Sequence, residues 1–301
     1  MVSLDDTLGV ETPVVLGPFG GVSSIELTAL VSDRGGLGSF GLYGYDADRI
    51  RQTAAAMQAR TPRPFALNLW VPTGDEAEPA DAATAFAEAA ASVASLFAEV
   101  GLEPPGLPES FLPPFGEQVD AVLEVRPSAV SFVFGVPPAD VVERAHRAGI
   151  VVLGTATTVD EAVALEQGGV DVVVASGSEA GGHRTSFLRP AEQSLVGTMA
   201  LVPQVVDAVG VPVVAAGGIA DRRGVAAAFA LGAVGVQVGT AFLRTRQSAA
   251  PESHQQAIAA AAAHDTVLTR AMSGRLARGL PNRALRRIEA GGAIAPFPAQ
   301  N

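Results

Sequence analysis

Eight short apolar runs recur along the chain, separated by longer stretches in which apolar residues return every three or four positions. The runs are Pro13 to Phe19, Leu37 to Leu42, Phe65 to Trp70, Ala129 to Gly135, Ile150 to Thr155, Asp171 to Ser176, Val211 to Gly217 and Val234 to Val238. Runs this apolar fit strands buried on both faces, as in a parallel sheet covered by helices. Between them Ser24 to Asp33, Pro138 to Ala148, Val159 to Gln167 and Asp221 to Leu231 read as helices, several stopped by a glycine that tolerates left-handed backbone. Eight strand–helix repeats in roughly 250 residues predict an α/β fold, a (β/α)8 TIM barrel over residues 1–245.

Two stretches interrupt the repeat. The third connection, about 72–116, is overlong, rich in proline (Pro72, Pro79, Pro104, Pro105, Pro108, Pro113, Pro114), and carries an alanine-rich stretch from Asp81 to Val100. It reads as an excursion, a functional lid or a surface insertion. Glu88 and Glu99 interrupt the alanines, so the pattern is that of a soluble helix rather than a membrane span. Residues 246–301 are expected to form a helical segment packing over or beside the barrel mouth, with one helix over Glu252 to Ala262. From Leu268 to Arg287, six arginines (Arg270, Arg275, Arg278, Arg283, Arg286, Arg287) meet no acid before Glu289. They read as a solvated helix face or as a positive rim over an anionic substrate.

Composition narrows the chemistry. A formal charge of −11 argues against nucleic-acid or anionic-membrane partners and leaves a small-molecule ligand. Met1 to Gly9 lacks the basic and apolar regions of a secretory signal, so a cytoplasmic protein is expected. There is no cysteine, and every one of the 20 basic Lys/Arg positions is arginine. Thiol nucleophiles, thiolate metal sites and Schiff-base lysines are excluded, leaving histidine, carboxylate, hydroxyl or a cofactor.

Three of the later runs end in glycine-bearing loops: Gly177-Ser178-Glu179-Ala180-Gly181-Gly182-His183-Arg184, Ala215-Ala216-Gly217-Gly218-Ile219, and Gly235-Val236-Gln237-Val238-Gly239-Thr240. The C-terminal ends of barrel strands are where such folds do chemistry. Gly217, Gly218, Gly239 and Thr240 sit where barrels bind phosphate through backbone N–H groups, and Asp221 is placed to cap the helix that follows. A phosphosugar, a nucleotide and flavin mononucleotide all fit. Asn68 is a polar residue inside an apolar run, suited to a flavin edge or to a backbone hydrogen bond. Of four histidines, only His183 follows a strand end with such glycines, and it reads as a general base. No histidine or carboxylate spacing suggests a metal.

These motifs, with Val15-Leu16-Gly17-Pro18-Phe19, Gly35-Gly36-Leu37-Gly38, Ser131-Phe132-Val133-Phe134-Gly135-Val136-Pro137 and Ser273-Gly274-Arg275-Leu276-Ala277-Arg278, give the chain a resemblance to the nitronate monooxygenase family over nearly its whole length. The Ser-Phe-x-Phe-Gly-x-Pro element resembles the branch that oxidises nitronates. The resemblance implies a metal-free FMN enzyme that oxidises alkyl nitronates, extending to nitroalkanes, with O2 to a carbonyl compound and nitrite. His183 would be the catalytic base, and Gly17, Pro18, Asn68, Ser176, Gly181, Gly217, Gly218, Gln237, Val238, Gly239 and Thr240 would hold FMN. Arg275 would contact the substrate anion. The chain departs from the family pattern at Ser176, where glutamine is common, at Phe19 for methionine, at Thr185 for glycine, and at Gln247 for glutamate. With no lysine, an arginine, a helix dipole or backbone donors must stabilise reduced flavin. Two other readings stand beside this one: an NAD(P)H-dependent quinone or enoyl-thioester reductase of the same superfamily, and a non-flavin phospholigand isomerase or lyase, or a binding protein with an idle site.

Overall fold

The computed structural model describes residues 4–301, so Met1, Val2 and Ser3 of the acidic N-terminal stretch lie outside the described residues. In chain order the strands are β1 (Val14–Leu16), β2 (Gly38–Gly41), β3 (Phe65–Trp70), β4 (Ala129–Val133), β5 (Val151–Ala156), β6 (Val172–Ser176), β7 (Gly182–His183), β8 (Val213–Ala216), β9 (Gly235–Val238), β10 (Val267–Thr269) and β11 (Ala277–Gly279). Eight of them pair in parallel in the order β1-β9-β8-β6-β5-β4-β3-β2, and a bridge from Val15 to Leu37 joins the two ends. This is the expected (β/α)8 barrel. Seven of the eight apolar runs contain one of these strands whole, and the eighth, Ile150 to Thr155, is passed by β5 by one residue. Most strands are shorter than their runs. β1, for instance, stops at Leu16, ahead of the Gly17-Pro18 bend where proline has no N–H to pair.

The chain clusters into two compact units. The first comprises Met1–Val71, Pro114–Ala180 and Thr185–Ala259, and its two cores follow from the two-residue period of a strand. One set of side chains, including Leu67, Leu69, Phe132, Val173, Ala215 and Val236, packs outward on helix residues such as Ile50, Met57, Val122 and Leu165. The alternate set, Val15, Leu37, Ala66, Ala129, Leu153, Val172, Val174, Val214 and Ala216, fills the interior together with Leu4, Leu8 and Val10 of the N-terminal segment. A Cβ on Gly235 would collide with Leu4, which places Gly235 on the inner face as well. Counting on by two, Asn68 follows Ala66 inward, Ser131 follows Ala129, Thr155 follows Leu153, Ser176 follows Val174 and Gln237 follows Gly235. The interior is therefore apolar at the N-terminal ends of the strands and polar at their C-terminal ends.

One buried acid ties this unit together. Glu161, in the helix Val159–Gln167, is fully buried. Its carboxylate accepts the Thr157 N–H and hydroxyl at 2.7 Å each, the Phe187 N–H at 2.7 Å and the Leu188 N–H at 3.3 Å. The Thr157 hydroxyl also lies 2.8 Å from Ser186 Oγ. The turn after β5 is thereby fastened to residues 186–188.

The second unit comprises Pro72–Pro113, Gly181–Arg184 and Ala260–Asn301. Its long helix spans Pro79–Glu99, matching the alanine-rich pattern, and Arg283 of the short helix Arg283–Glu289 pairs with Glu99 at 2.5 Å. The chain beyond 246 is not helical throughout. Helices Glu252–Ala260 and Arg283–Glu289 are present, but β10 and β11 lie between them in an antiparallel sheet with β7. The β-branched residues of Val267-Leu268-Thr269 favour the strand, and Gly274 at φ +80° turns the chain back. A Cβ on Gly274 would fall 2.6 Å from Phe297 N and 2.7 Å from Ala295 O. The six arginines consequently share no helix face: Arg270 donates to Gly274 O, Arg278 to Thr266 Oγ1, and Arg283 to Glu99. Among the described residues no helix is long and apolar enough to cross a membrane.

Replacing Glu161 by alanine removes the acceptor from the N–H and hydroxyl of buried Thr157 and from the half-buried Phe187 N–H, each worth about 1–3 kcal/mol when left unmade. Glu161→Ala is expected to lower stability by at least about 3 kcal/mol. In a thermal unfolding experiment an unchanged Tm would refute the fastening role.

Candidate active site

Within the barrel unit the C-terminal strand ends carry most of the expected cofactor residues. At the β1 end the Gly17 N–H donates to Val238 O at 2.8 Å, and a Cβ on Gly17 would stand 3.1 Å from the Gly239 Cα. A side chain at Gly17 would crowd this approach, whereas a Cβ on Gly239 would meet only Phe19, at 3.7 Å. The approach brings Gly17 and the neighbouring Pro18 beside Val238 and Gly239. On β9, Gln237 points inward by alternation, and Thr240 opens the short helix Thr240–Leu243.

At the β8 end Gly217 and Gly218 have φ of +107° and +71°. They serve different purposes. A Cβ on Gly217 would meet Thr198 Oγ1 at 2.8 Å and Ala180 N at 3.2 Å, so its missing side chain makes room for the protein itself. At Gly218 the nearest atom would be 3.4 Å away, on Glu179, and the residue is exposed. Asp221 caps the helix Arg222–Ala230 as expected, accepting from Arg223 N at 2.8 Å. Hydrogen bonds from the Arg223 side chain and backbone lower its carboxyl to about 2. A cavity of about 270 Å³ opens here, lined by Ile219, Ala220, Asp221, Val225, Val238, Ala241, Phe242 and Thr245. Because Asp221 already satisfies the helix N-terminus, an anion bound at this end would depend on N–H groups of the glycine loops.

Sequence reasoning missed the role of Glu179. The helix Thr198–Ala208 has no capping side chain of its own, and Glu179 supplies one from 19 residues away. Its carboxylate accepts the Thr198 N–H at 2.9 and 3.1 Å and stands 2.9 Å from the Thr198 hydroxyl. An acid at a helix N-terminus is favoured by the dipole. The loop after Ser176 is thus anchored to a helix, and a Cβ on Gly177 would collide with Thr198. Asn68 is buried, and its amide nitrogen donates to Ser131 O at 3.1 Å and Ser131 Oγ at 3.0 Å. The backbone bond foreseen for it is present, and its carbonyl oxygen is left as the side chain's acceptor.

The second unit holds His183. Gly181 leads into β7, where Gly182 pairs with Arg278 and His183 with Ala277, and the Arg184 N–H donates to Leu276 O at 2.8 Å. His183 Nε2 lies 2.6 Å from Ser273 Oγ, and Ser273 Oγ lies 3.3 Å from Arg275 O. Which of the two atoms donates in the His183–Ser273 bond follows the tautomer of the imidazole. Burial first, and then the positive charge of Arg275, lowers the imidazole to about 4. His183 is therefore neutral at pH 7. Of the other histidines, His146 meets Asp171 at 3.0 Å, His264 meets Asp265 at 3.6 Å, and His254 is exposed on the helix Glu252–Ala260.

Arg275, expected as a contact to an anionic substrate, already has acidic partners. Nη2 lies 2.5 Å from Asp75, 2.9 Å from Glu76 and 2.5 Å from Thr73 Oγ1, and the guanidinium stacks 3.9 Å from the Phe297 ring centroid. Burial pushes the two carboxyls up, but hydrogen bonds from Thr73 and Arg275 outweigh it and leave both below their usual values. Ser273 was visible in the Ser-Gly-Arg motif, but its role was not. Asp75 and Glu76 lie in the proline-bounded excursion, where no periodic pattern marks them.

Comparison with known proteins agrees with this geometry. A model of the nitronate monooxygenase family matches residues 2–301. A probable nitronate monooxygenase of Staphylococcus haemolyticus is 40% identical over 99% of this chain and 83% of its own length. Among solved structures, the nitroalkane oxidase of Streptomyces ansochromogenes superposes with a TM-score of 0.84 at 37% identity, covering 99% of this chain and 84% of that one. FabK of Thermotoga maritima superposes with a TM-score of 0.75 at 29% identity, covering 96% and 78%. With a glycine-lined barrel mouth and a neutral histidine in its Gly-Gly-His motif, the chain belongs to the nitronate monooxygenase family of flavin-dependent oxidoreductases.

Proposed function

We propose that the protein uses FMN to oxidise alkyl nitronates, and nitroalkanes after deprotonation, with O2 to a carbonyl compound and nitrite, and that His183 is the base. The observation that carries this reading is the setting of His183: in the Gly-Gly-His loop its Nε2 lies 2.6 Å from Ser273 Oγ, and burial and the Arg275 guanidinium lower the imidazole. The nitroalkane oxidase likeness supports nitro compounds as the substrate class.

The barrel residues suit FMN. Gly218 offers exposed positive-φ backbone at which a Cβ would meet only Glu179, and Gly239 leaves its nearest neighbour, Phe19, at 3.7 Å from a built Cβ. Gly17, Pro18, Gly217, Gly218, Gln237, Val238, Gly239 and Thr240 would hold the cofactor, its phosphate on the N–H groups at the β8 and β9 ends. Asn68 would accept through its carbonyl oxygen, and Ser176 would offer a hydroxyl in place of a longer amide. When bound, the flavin supplies electron acceptance from the substrate and reaction with oxygen.

His183 acts on the carbon acid, its neutral imidazole removing the α-proton of a neutral nitroalkane. A base lowered to about 4 is fully available at neutral pH, but its conjugate acid is strong, so proton abstraction has little driving force. A preformed nitronate needs no such step. The geometry therefore favours nitronates over their neutral parents. Arg275 acts at a distance, lowering the imidazole by its charge, rather than as the primary anion contact.

Three measurements test this reading. Under anaerobic conditions, an alkyl nitronate alone should bleach the FMN-loaded protein, whereas bleaching by NADPH alone would point to a reductase. His183→Asn should cost roughly 10²–10⁴ in kcat/KM with neutral nitroalkanes and much less with nitronates. Equal losses with both would remove the base role. Since the base form predominates above the lowered value, kcat/KM for a nitroalkane should stay level as pH falls past 6.5 and drop only near about 4. A descending limb near 6.5 would show that the imidazole is not held as described.

A further inference from the structure

Three aromatic rings meet at the C-terminal ends of β2, β3 and β4, and no step of the chemistry above uses them. Trp70 is the last residue of β3, Tyr43 follows β2 by two residues, and Phe134 directly follows β4. The Tyr43 and Trp70 ring centroids are 4.3 Å apart, and those of Trp70 and Phe134 are 4.7 Å apart. Trp70 shares the inner face with Asn68 by alternation, and it and Tyr43 are only half-buried.

Phe134 is held against its backbone preference. Its φ is +71°, and Arg126 is the other non-glycine residue with positive φ among those described. Left-handed backbone is unfavourable for a bulky side chain and persists where its surroundings impose it, often at functional sites. Regular alternation would send Phe134 outward after Phe132, which packs among the helices. The left-handed turn brings its ring to Trp70 instead. Next to it, Gly135 leaves no room for a side chain, because a Cβ there would lie 2.9 Å from Val71. Phe134 is itself buried, 3% exposed, so folding sacrifices backbone comfort to set an aromatic ring behind half-buried Trp70.

We propose that Tyr43, Trp70 and Phe134 form an apolar subsite for the carbon chain of the substrate. The enzyme then prefers nitronates bearing an alkyl chain of several carbons or an aryl group over short or carboxylate-bearing ones. The inference rests on the nitronate reading, which it refines. Aromatic faces gain from covering methylenes and offer a second anionic group no partner.

Trp70 is the single tryptophan of the chain, so its fluorescence reports on this cluster directly. The FMN-loaded protein is titrated with straight-chain carboxylates from propanoate to octanoate and with phenylacetate, planar anions that mimic nitronates without reacting. Binding should tighten about threefold to fourfold per methylene, the value of burying one. Phe134→Gly accepts the positive φ, keeps Trp70 as reporter and should flatten the series. Trp70→Leu should likewise flatten kcat/KM across nitronates from ethyl to hexyl. FMN affinity, followed by flavin fluorescence, should hold in both variants. A flat series in the unaltered protein, or a slope that survives both substitutions, overturns the subsite. Variants that lose FMN while keeping the slope overturn it too, assigning the rings to the cofactor. A graded carboxylate series without turnover of any nitronate would leave the subsite standing and remove the nitronate reading instead.

Discussion

Closure of the barrel at β1 is the constraint on which the first unit depends. A parallel barrel has no edge strand, so a strand of three residues must be paired on both sides. On one side Leu16 donates to Leu37 O and Leu37 to Val14 O, both at 2.9 Å. On the other, Val236 donates to Pro13 O at 3.0 Å and Gly17 to Val238 O at 2.8 Å. Gly17, whose Cβ would stand 3.1 Å from the Gly239 Cα, lets the strand ends come within contact of each other. A side chain at Gly17 would press on the backbone that closes the ring and, in the same movement, displace the loop assigned to the cofactor.

Closure also sorts the interior. Leu4, Leu8 and Val10 fill one end with apolar contacts, while Asn68, Ser131, Thr155, Ser176 and Gln237 turn the other end polar. Buried polar groups need partners, and Asn68 finds one in Ser131. In the second unit, guanidinium chemistry has an advantage that a lysine would lack. Arginine stays charged across the working range of pH, so Arg275 keeps the same influence on His183 while holding Asp75 and Glu76.

The barrel strands were legible because each is an apolar run whose burial on both faces leaves a strong local signature. The cap at Asp221 was legible for the same reason, being encoded within three residues. What could not be read depends on partners distant in the chain. β7 has two residues, Gly182 and His183, and exists only through pairing with β11. β10 and β11 hid among arginines that resembled a helix face. Nothing local marks Glu161 or Glu179, since they collect backbone donors 26 and 19 residues away, respectively. His183 was recognisable from its glycines, but its neutral state is set by burial and Arg275, and its serine partner lies 90 residues on.

That separation has a bearing on biosynthesis. Translation delivers all eight barrel strands, ending at Val238, before Ser273 and Arg275 exist. A nascent chain halted in that interval contains the glycine loops but neither the hydroxyl that pairs with its histidine nor the charge that, with burial, lowers it. Competence for proton transfer is thus among the last properties the growing polypeptide acquires.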